Sequence, residues 1–463
     1  MLPDPERTRT QEHTGPLPSG PEYPWTDALP TSGEAGELGA EAARWAERAT
    51  DALDDLRLVA DLSALVSIPS TGGSPEEVRV QRWGAETLRR MGGSVDEWDE
   101  SVADLARLED WPGQEVERTD LRGVVGRFGP AEGDPALILC GHTDVVPATD
   151  AELWSEHDPW TLVRGEDEHG VWFRGRGVTD MKGGVAAVLA AVRALQSVGF
   201  PFRRALAVHL VSGEEDGGSG AFATLRRGHT GEACVIAEPT AGHLVTANAG
   251  SLTFSLRLSG RAAHGAMARE GHNALLGLRT VVDALERLQE QRREDRPAPF
   301  DTVDDPWPLS IGIVRGGEWA STVLDDLVVE GRFGVRTDET PQEARAAFEQ
   351  CVAEACAADD FLAEHPARVT WPGGVFAPGE MPSGHELGAQ VADAVERAGY
   401  ERPDRIGVPY GSDLRQYAAA GIPTLQYGPG DIRQAHSVDE WVDKEALVRC
   451  ARAYVHLVVE RCG

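Results

Sequence analysis

Four short apolar runs frame the chain, over residues 121–128, 137–140, 204–211 and 232–237. Turn residues such as Gly133-Asp134-Pro135 bound them, and such near-continuous apolar runs predict strands buried on both faces of a sheet. Helical patterns accompany these strands. Over 41–65 apolar residues recur at helical spacing (Leu53, Leu56, Leu58, Val59, Leu62, Leu65), which predicts one amphipathic helix. Ser74-Pro75-Glu76-Glu77 supplies an N-cap, a proline and two first-turn acids, so a second helix runs from there to about residue 91. A third is expected over 185–195, directly after a glycine-rich turn.

Near residue 248 the pattern changes. Residues 251–258 alternate, as a strand with one solvated face does. A helix over 272–291, strands near 309–314 and 327–335, a helix after Thr340-Pro341-Gln342-Glu343 and a strand near 367–370 follow. That β-α-β-β-α-β order predicts an inserted ferredoxin-like domain. Helix–strand alternation then resumes over 386–397, 414–420, 423–427 and 444–460. The expected organisation is therefore an α/β domain over 39–247, completed by 371–463 and interrupted by the insertion over 248–370. Residues 1–38 are rich in Pro, Gly, Thr, Ser and Glu without periodicity and read as a flexible N-terminal arm.

Length supports more than one core, since 463 residues exceed what a single hydrophobic core usually serves. The net charge of −32 disfavours nucleic acid and anionic membrane surfaces as partners. Cys140, Cys234, Cys351, Cys356, Cys450 and Cys462 are scattered without a tight framework, which fits a reducing, cytoplasmic setting. Met1-Leu2-Pro3-Asp4-Pro5-Glu6-Arg7 has neither a basic nor an apolar leader region, and the apolar run over 183–192 is too short to span a bilayer.

Chemistry gathers at the ends of these elements. The 137–140 strand leads into His142-Thr143-Asp144, and ligands sit at the carboxyl ends of strands in open α/β sheets. There His142 can offer one ring nitrogen to a metal while Asp144 accepts from the other. The turn Arg174-Gly175-Arg176-Gly177-Val178-Thr179-Asp180-Met181-Lys182-Gly183-Gly184 opens a helix. As a phosphate-cradling loop it would place an acid against the phosphate; as a helix start it keeps Asp180 ionised and ready to bind a cation. Ser212-Gly213-Glu214-Glu215-Asp216 ends another strand, where three acids alone would suit a solvated turn. Glu238-Pro239-Thr240 ends the next, and His436 lies in Gly428-Pro429-Gly430-Asp431-Ile432-Arg433-Gln434-Ala435-His436. Two imidazoles and three carboxylates (His142, Asp180, Glu215, Glu238, His436) suit two divalent first-row cations sharing one aspartate. Such a pair leaves room for a bridging water activated near neutral pH, with Glu214 placed as general base and then acid.

Taken together, H-T-D, G-R-G-x-x-D-M-K-G-G, S-G-E-E-D-G-G-S-G, A-E-P-T, G-R-A-A-H-G-A and G-P-G-D-I-R-Q-A-H-S resemble the M20 metallopeptidases over roughly residues 50–460. The likeness is greatest to the acetylornithine deacetylase and succinyl-diaminopimelate desuccinylase branch. It extends more distantly to aminoacylases and glutamate carboxypeptidases. The resemblance implies a zinc-peptidase-like mixed sheet with a lid and dimerisation domain, and two divalent metals, zinc first, with cobalt or manganese as alternatives. It implies that Asp180 bridges, that the peptide after it is cis, that His142 and Glu238 complete one site and that Glu215 and His436 complete the other. Asp144 orients His142, Glu214 is the base, and His264 of the lid steadies the tetrahedral oxyanion in a neighbouring subunit of a homodimer. Asn273 and the turn Gly411-Ser412-Asp413-Leu414-Arg415 match places where relatives contact substrate. Relatives often carry Asn-Val-Ile-Pro where this chain has Ser321-Thr322-Val323-Leu324-Asp325.

Arg332 and Arg336 are both candidates to grip a substrate carboxylate, and strand alternation places them on one face. The function so implied is hydrolysis of the amide of an N-acyl amino acid, acetylornithine-like first. A dipeptidase or carboxypeptidase using the same site is the alternative within the family. A non-catalytic binding protein of this fold would have lost ligands or the base, and all of them are present.

Overall fold

The computed structural model describes residues 39–108 and 110–463; the arm expected over 1–38 lies outside the described residues. Among these residues the largest sheet has nine strands, and Leu206–Val211, Leu137–His142, Cys234–Ile236 and Thr424–Gln426 form its parallel centre. Every residue of Leu137–His142 and Leu206–Val211 is buried, as their unbroken apolar patterns required. Antiparallel strands Asp120–Phe128 and Ser94–Ser101 extend one side, and Leu244–Asn248 with Gly379–Glu380 and Arg405–Val408 extends the other. Parallel neighbours align their carboxyl ends, with His142 opposite Val211 and Cys140 opposite Ile236. One edge of the sheet therefore collects everything that follows those strands.

Helices cover both faces. Lys182–Ser197 is buried along almost its whole length and packs against Lys444–Cys462 and Asp55–Val66. It approaches the sheet so closely that a Cβ at Gly184 would lie 2.0 Å from the Ala237 carbonyl oxygen. Glycine there brings the start of the helix against the strand end that carries Glu238.

The second unit has the predicted order. Strands Leu309–Gly316, Asp326–Val335, Gly250–Ser259 and Arg368–Thr370 form an antiparallel sheet in that spatial order, with helices Ala274–Glu294 and Pro341–Ala357. Alternate residues of Gly250–Ser259 are buried, and a separate apolar core contains Leu252, Phe254, Leu278, Phe333 and Phe348. Thr340 and Glu343 form a reciprocal cap at the start of Pro341–Ala357, satisfying two otherwise orphaned amides.

Three details depart from expectation. The helix expected over 41–65 is two, Ala40–Asp51 and Asp55–Val66, because the Asp54 carboxylate accepts from the Arg57 amide and restarts the chain as an N-cap. The stretch between His142 and the glycine-rich turn, for which no strand was expected, contains a hairpin, Val163–Asp167 and Gly170–Arg174, whose outer partner is the remote strand Trp441–Asp443. Ser94–Ser101 is also a strand, although polar residues dominate it, because its partner Asp120–Phe128 supplies the apolar face.

Candidate metal centre

Side chains from five separate turns converge at the sheet edge. Asp180 lies between two imidazoles: its Oδ1 is 3.0 Å from His142 Nε2 and its Oδ2 is 3.4 Å from His436 Nε2. Glu238 Oε1 lies 3.8 Å from His142 Nε2, and Glu215 Oε2 lies 3.0 Å from His436 Nε2. Two overlapping donor groups result, one of His142, Glu214 and Glu238 and one of His142, Asp180 and Glu215, each with ligand atoms within 4.8 Å of one another. The Asp180-Met181 peptide is cis. His436 has φ 62°, a region that residues other than glycine seldom adopt, in the turn that brings its ring to Asp180.

His142 is held differently from expectation. Its Nδ1 faces the main-chain oxygen of Asp144 at 3.0 Å, whereas the Asp144 carboxylate is 3.7 Å away and accepts from the Glu215 amide at 3.3 Å. Asp144 thus fixes the tautomer through its carbonyl and ties the His142 strand to the Glu215 turn through its carboxylate.

Four carboxylates and two imidazoles packed together are electrostatically unbalanced. Burial opposes charge on His142, yet Asp180, Glu238 and Asp144 overcome it and hold the imidazole well above its ordinary pKa. Donating hydrogen bonds to Asp180 and Glu215 raises His436 to about 10. Burial followed by the Asp180 charge raises Glu215 to about 7, and burial with the neighbouring acids pushes Glu214 and Glu238 up as well. The buried Glu215 Oε1 and Asp144 Oδ1 have no hydrogen-bond partner. Divalent cations would replace the shared protons and give Glu215 Oε1 a partner, so the donor set fits two such ions.

The sequence pattern of peptidase family M20/M25/M40 matches residues 138–460, which include all of these residues. The chain belongs to this family. It is a hydrolase, and acyl-removing relatives stand among its matches. N-formyl-4-amino-5-aminomethyl-2-methylpyrimidine deformylase of Bacillus subtilis (strain 168) is 26% identical over 405 residues, covering 83% of this chain and 89% of that protein. Acetylornithine deacetylase of Photorhabdus laumondii subsp. laumondii is 26% identical over 390 residues, covering 80% and 92%. A tripeptidase of Staphylococcus aureus superposes with a TM-score of 0.68 at 18% identity, over 89% of this chain and 99% of that one. A dinuclear metal-binding M20 peptidase of Bacillus subtilis superposes with a TM-score of 0.57 at 15% identity, over 88% and 98%. No helix among the described residues is long and apolar enough to cross a membrane.

Around the M20 centre lie Glu440 and Tyr410, which sequence reading missed, and Asp413 of the expected substrate turn. Glu440 is fully buried, and its carboxylate accepts from the Gly177, Thr179 and Asp180 amides at 2.8–3.0 Å and from Arg176 Nη1 at 2.7 Å. It therefore sets the turn that presents Asp180. Tyr410 is directly before Gly411, and burial with the charges of Glu238 and Asp180 disfavours ionisation of its hydroxyl. Asp413, beyond it, has a buried, unpartnered Oδ1, and burial pushes its carboxyl up to about 7.

The substrate candidates separate. Arg336 falls just past the end of Asp326–Val335, so the expectation of one shared strand face fails. It is bound to Asp295 and Asp338 and lies over Trp307. Arg332 stays on the strand, donates to Ser251 Oγ and to the Pro409 carbonyl at 2.7 Å each, and has no carboxylate partner among the described residues. It thereby touches the turn that carries Tyr410 and Gly411. Asn273 caps Ala274–Glu294 by accepting from the Leu275 amide. His264 is exposed, accepts from the Ala266 amide at Nδ1, and among the described residues no hydrogen bond or ion pair joins it to the metal cluster.

Proposed function

We propose that this enzyme is a two-metal deacylase that hydrolyses the amide of an N-acyl amino acid. The observation that carries the reading is the placement of Asp180, with one carboxylate oxygen toward His142 and the other toward His436. His142 and Glu238 would hold one ion, His436 and Glu215 the other, and Asp180 both. When bound, the ions supply a nucleophilic water at neutral pH and polarise the scissile carbonyl.

The chain's own groups do the rest. Glu214, buried beside the ligands but outside the His436 pair, takes a proton from the attacking water and returns it to the leaving nitrogen. Arg332 receives the substrate carboxylate: among the described residues its half-buried guanidinium lacks an acidic partner, and a bidentate carboxylate would provide one. Gly411, in the turn touched by Arg332, packs against Phe376, where a Cβ would lie 2.8 Å from the ring, and its backbone and the Asn273 side-chain nitrogen are the further candidate substrate contacts. His264, whose Nδ1 is engaged, presents Nε2–H to the oxyanion of a neighbouring active site.

That role requires a homodimer through the lid, a reading supported by the apolar residues the lid exposes, Trp319 at 74% and also Val314, Leu275 and Leu276. The names of the relatives, a deformylase and a deacetylase, favour acyl removal over peptide cleavage. The free cysteines agree with a reducing cytoplasm.

The test is a hydrolysis screen of zinc-loaded enzyme with N-acetyl, N-formyl and N-succinyl amino acids beside dipeptides. Turnover of acylated amino acids is expected, and exclusive turnover of dipeptides would make the protein a dipeptidase. Light scattering should give a dimer. A fully active monomer would remove His264 from the mechanism.

A further inference from the structure

Among the described residues the Glu214 carboxylate has no hydrogen-bond partner, so its place is set by the turn that carries it. The Gly217 and Gly218 amides close that turn on the Glu214 carbonyl at 3.1 and 3.2 Å, with φ values of 142° and 71° that favour glycine. The missing Cβ atoms admit a remote segment: a Cβ at Gly218 would lie 2.6 Å from Asp413 Oδ1 and 3.0 Å from Arg415 Nη2. Residues 413–415 therefore press on the backbone that holds Glu214.

Arg415 supplies the directed contact. It is buried, and its Nη2 donates to the Gly217 carbonyl across 198 residues of chain. The guanidinium carbon lies 4.2 Å from the centroid of the Phe376 ring, a cation–π stack. Nη1 is buried and has no hydrogen-bond partner. Burial pulls the Arg415 pKa down to about 10 against the charges of Asp413 and Glu214, so the group is cationic at neutral pH. Phe376 stands just past the lid, in Val375–Phe376, which pairs with the first residues of Gly250–Ser259. One carbonyl and one ring, and no carboxylate hydrogen bond, fix the guanidinium.

The neighbouring Glu215 does not depend on this contact. Its amide donates to Asp144 Oδ2 at 3.3 Å, its carboxylate meets His436, and the next residue, Asp216, is held by Arg118 at 2.7 Å. We propose that Arg415 is a positioning residue for Glu214: through the Gly217 carbonyl it holds the turn so that the Glu214 carboxylate stays beside the attacking water, and Phe376 keeps the guanidinium in line. The inference rests on the reading of Glu214 as the base.

The experiment compares zinc-loaded wild type, Arg415→Met, Glu214→Gln and the double variant. The substrate is the best one from the hydrolysis screen, since acyl amino acids and dipeptides would use the same base. Misplacing a reacting group by about 1 Å can cost on the order of 10²-fold in rate. Arg415→Met should lose kcat by about that factor while KM and zinc content stay as in wild type. The double variant should be no slower than Glu214→Gln, because without the base Arg415 has nothing to place. Arg415→Lys, which keeps the charge and a donor for the Gly217 carbonyl, should recover part of the loss. Multiplied losses in the double variant would overturn the inference, since a merely structural arginine slows both backgrounds alike. Loss of zinc from Arg415→Met would overturn it too. A fully active Glu214→Gln would instead remove Glu214 as the base, and the inference with it. Should Arg415→Met not fold, Phe376→Leu keeps the charge and frees the guanidinium. It should lower kcat in wild type and leave Glu214→Gln unchanged, and equal slowing of both would again overturn the proposal.

Discussion

Two buried clusters of charge meet in the turn Glu214-Glu215-Asp216, and they are built oppositely. In one, Arg118 lies between Glu77 and Asp216: Nε and Nη2 reach both oxygens of Glu77 at 2.9 Å, and Nη1 reaches Asp216 Oδ2 at 2.7 Å. The Gly73 amide adds a bond to Glu77, and the Val116 amide adds one to Asp216. In the other, Asp180, Glu214, Glu215 and Glu238 share two imidazoles, and among the described residues no arginine or lysine is hydrogen-bonded to any of their carboxylates. A buried carboxylate is stable when its partners are built in. The Arg118 cluster contains its counter-charge and is a brace. The Asp180 cluster is short of positive charge and becomes stable with cations supplied from outside. Consecutive acids in one turn thus belong to a site and to its support.

The largest effect expected from breaking this contrast is at Asp180. Asp180→Ala removes the one carboxylate that serves both imidazoles, so the purified variant should contain neither ion and hydrolyse nothing above background. Elemental analysis beside an activity assay checks it. Retention of one ion at full occupancy would make Asp180 a ligand to a single metal.

Next comes the division of labour within the turn. Glu214→Gln keeps size and hydrogen bonding but removes the titrating oxygen, and general acid–base participation is typically worth on the order of 10²–10⁴-fold in rate. The variant should bind metal normally and lose turnover by that factor, whereas Glu215→Gln should lose metal. Depleted Glu214→Gln with loaded Glu215→Gln would reverse the two roles.

At the brace the expected loss is in folding instead of metal. Arg118→Met strands two buried carboxylates, and breaking a buried pair in this way typically costs about 3–5 kcal/mol. Denaturant melts of metal-loaded and metal-stripped protein should show a similar loss in both states. A loss confined to the loaded state would place Arg118 in the metal centre.

The same contrast explains what the sequence could reveal. The candidate ligands were legible because each stands at the end of a strand or turn whose pattern is local: His142 after a buried run, Asp180 at a glycine-rich helix start, Glu215 and Glu238 after two further buried runs. Their parallel alignment then brings them together. The brace was not legible, because Asp216 meets Arg118 across 98 residues and Arg176 meets Glu440 across 264, with no periodic pattern linking either pair. The candidate substrate residues lay between these cases. Alternation placed Arg332 and Arg336 together, but the strand stops at Val335 and Arg336 turns into ion pairs that no local spacing announces. The hairpin at Val163–Asp167 and Gly170–Arg174 escaped for the same reason, since its packing partner Trp441–Asp443 lies near the other end of the chain.

Glu440 tests the boundary between brace and site, because it belongs to both. Its carboxylate is fully satisfied like that of Glu77, yet three of its donors are amides of the turn that presents Asp180. Glu440→Gln keeps the shape but offers one acceptor oxygen and an NH₂ group. The amide group cannot accept from Gly177 and Arg176 on one side and from Thr179 and Asp180 on the other. The Asp180 carboxylate should then sample positions away from His142 and His436, and residues that orient metal ligands typically change metal affinity or activity by about 10–100-fold. Glu440→Gln should accordingly bind zinc about 10–100-fold more weakly in a competition titration with a chelator. At saturating zinc most of the turnover should return, which Asp180→Ala cannot achieve. Glu440→Asp keeps the charge but shortens the reach, and it should fall between wild type and Glu440→Gln. If Glu440→Gln instead bound zinc as tightly as wild type while its melting temperature dropped, Glu440 would be a brace alone, and the orientation of Asp180 would rest on the contacts to His142 and His436.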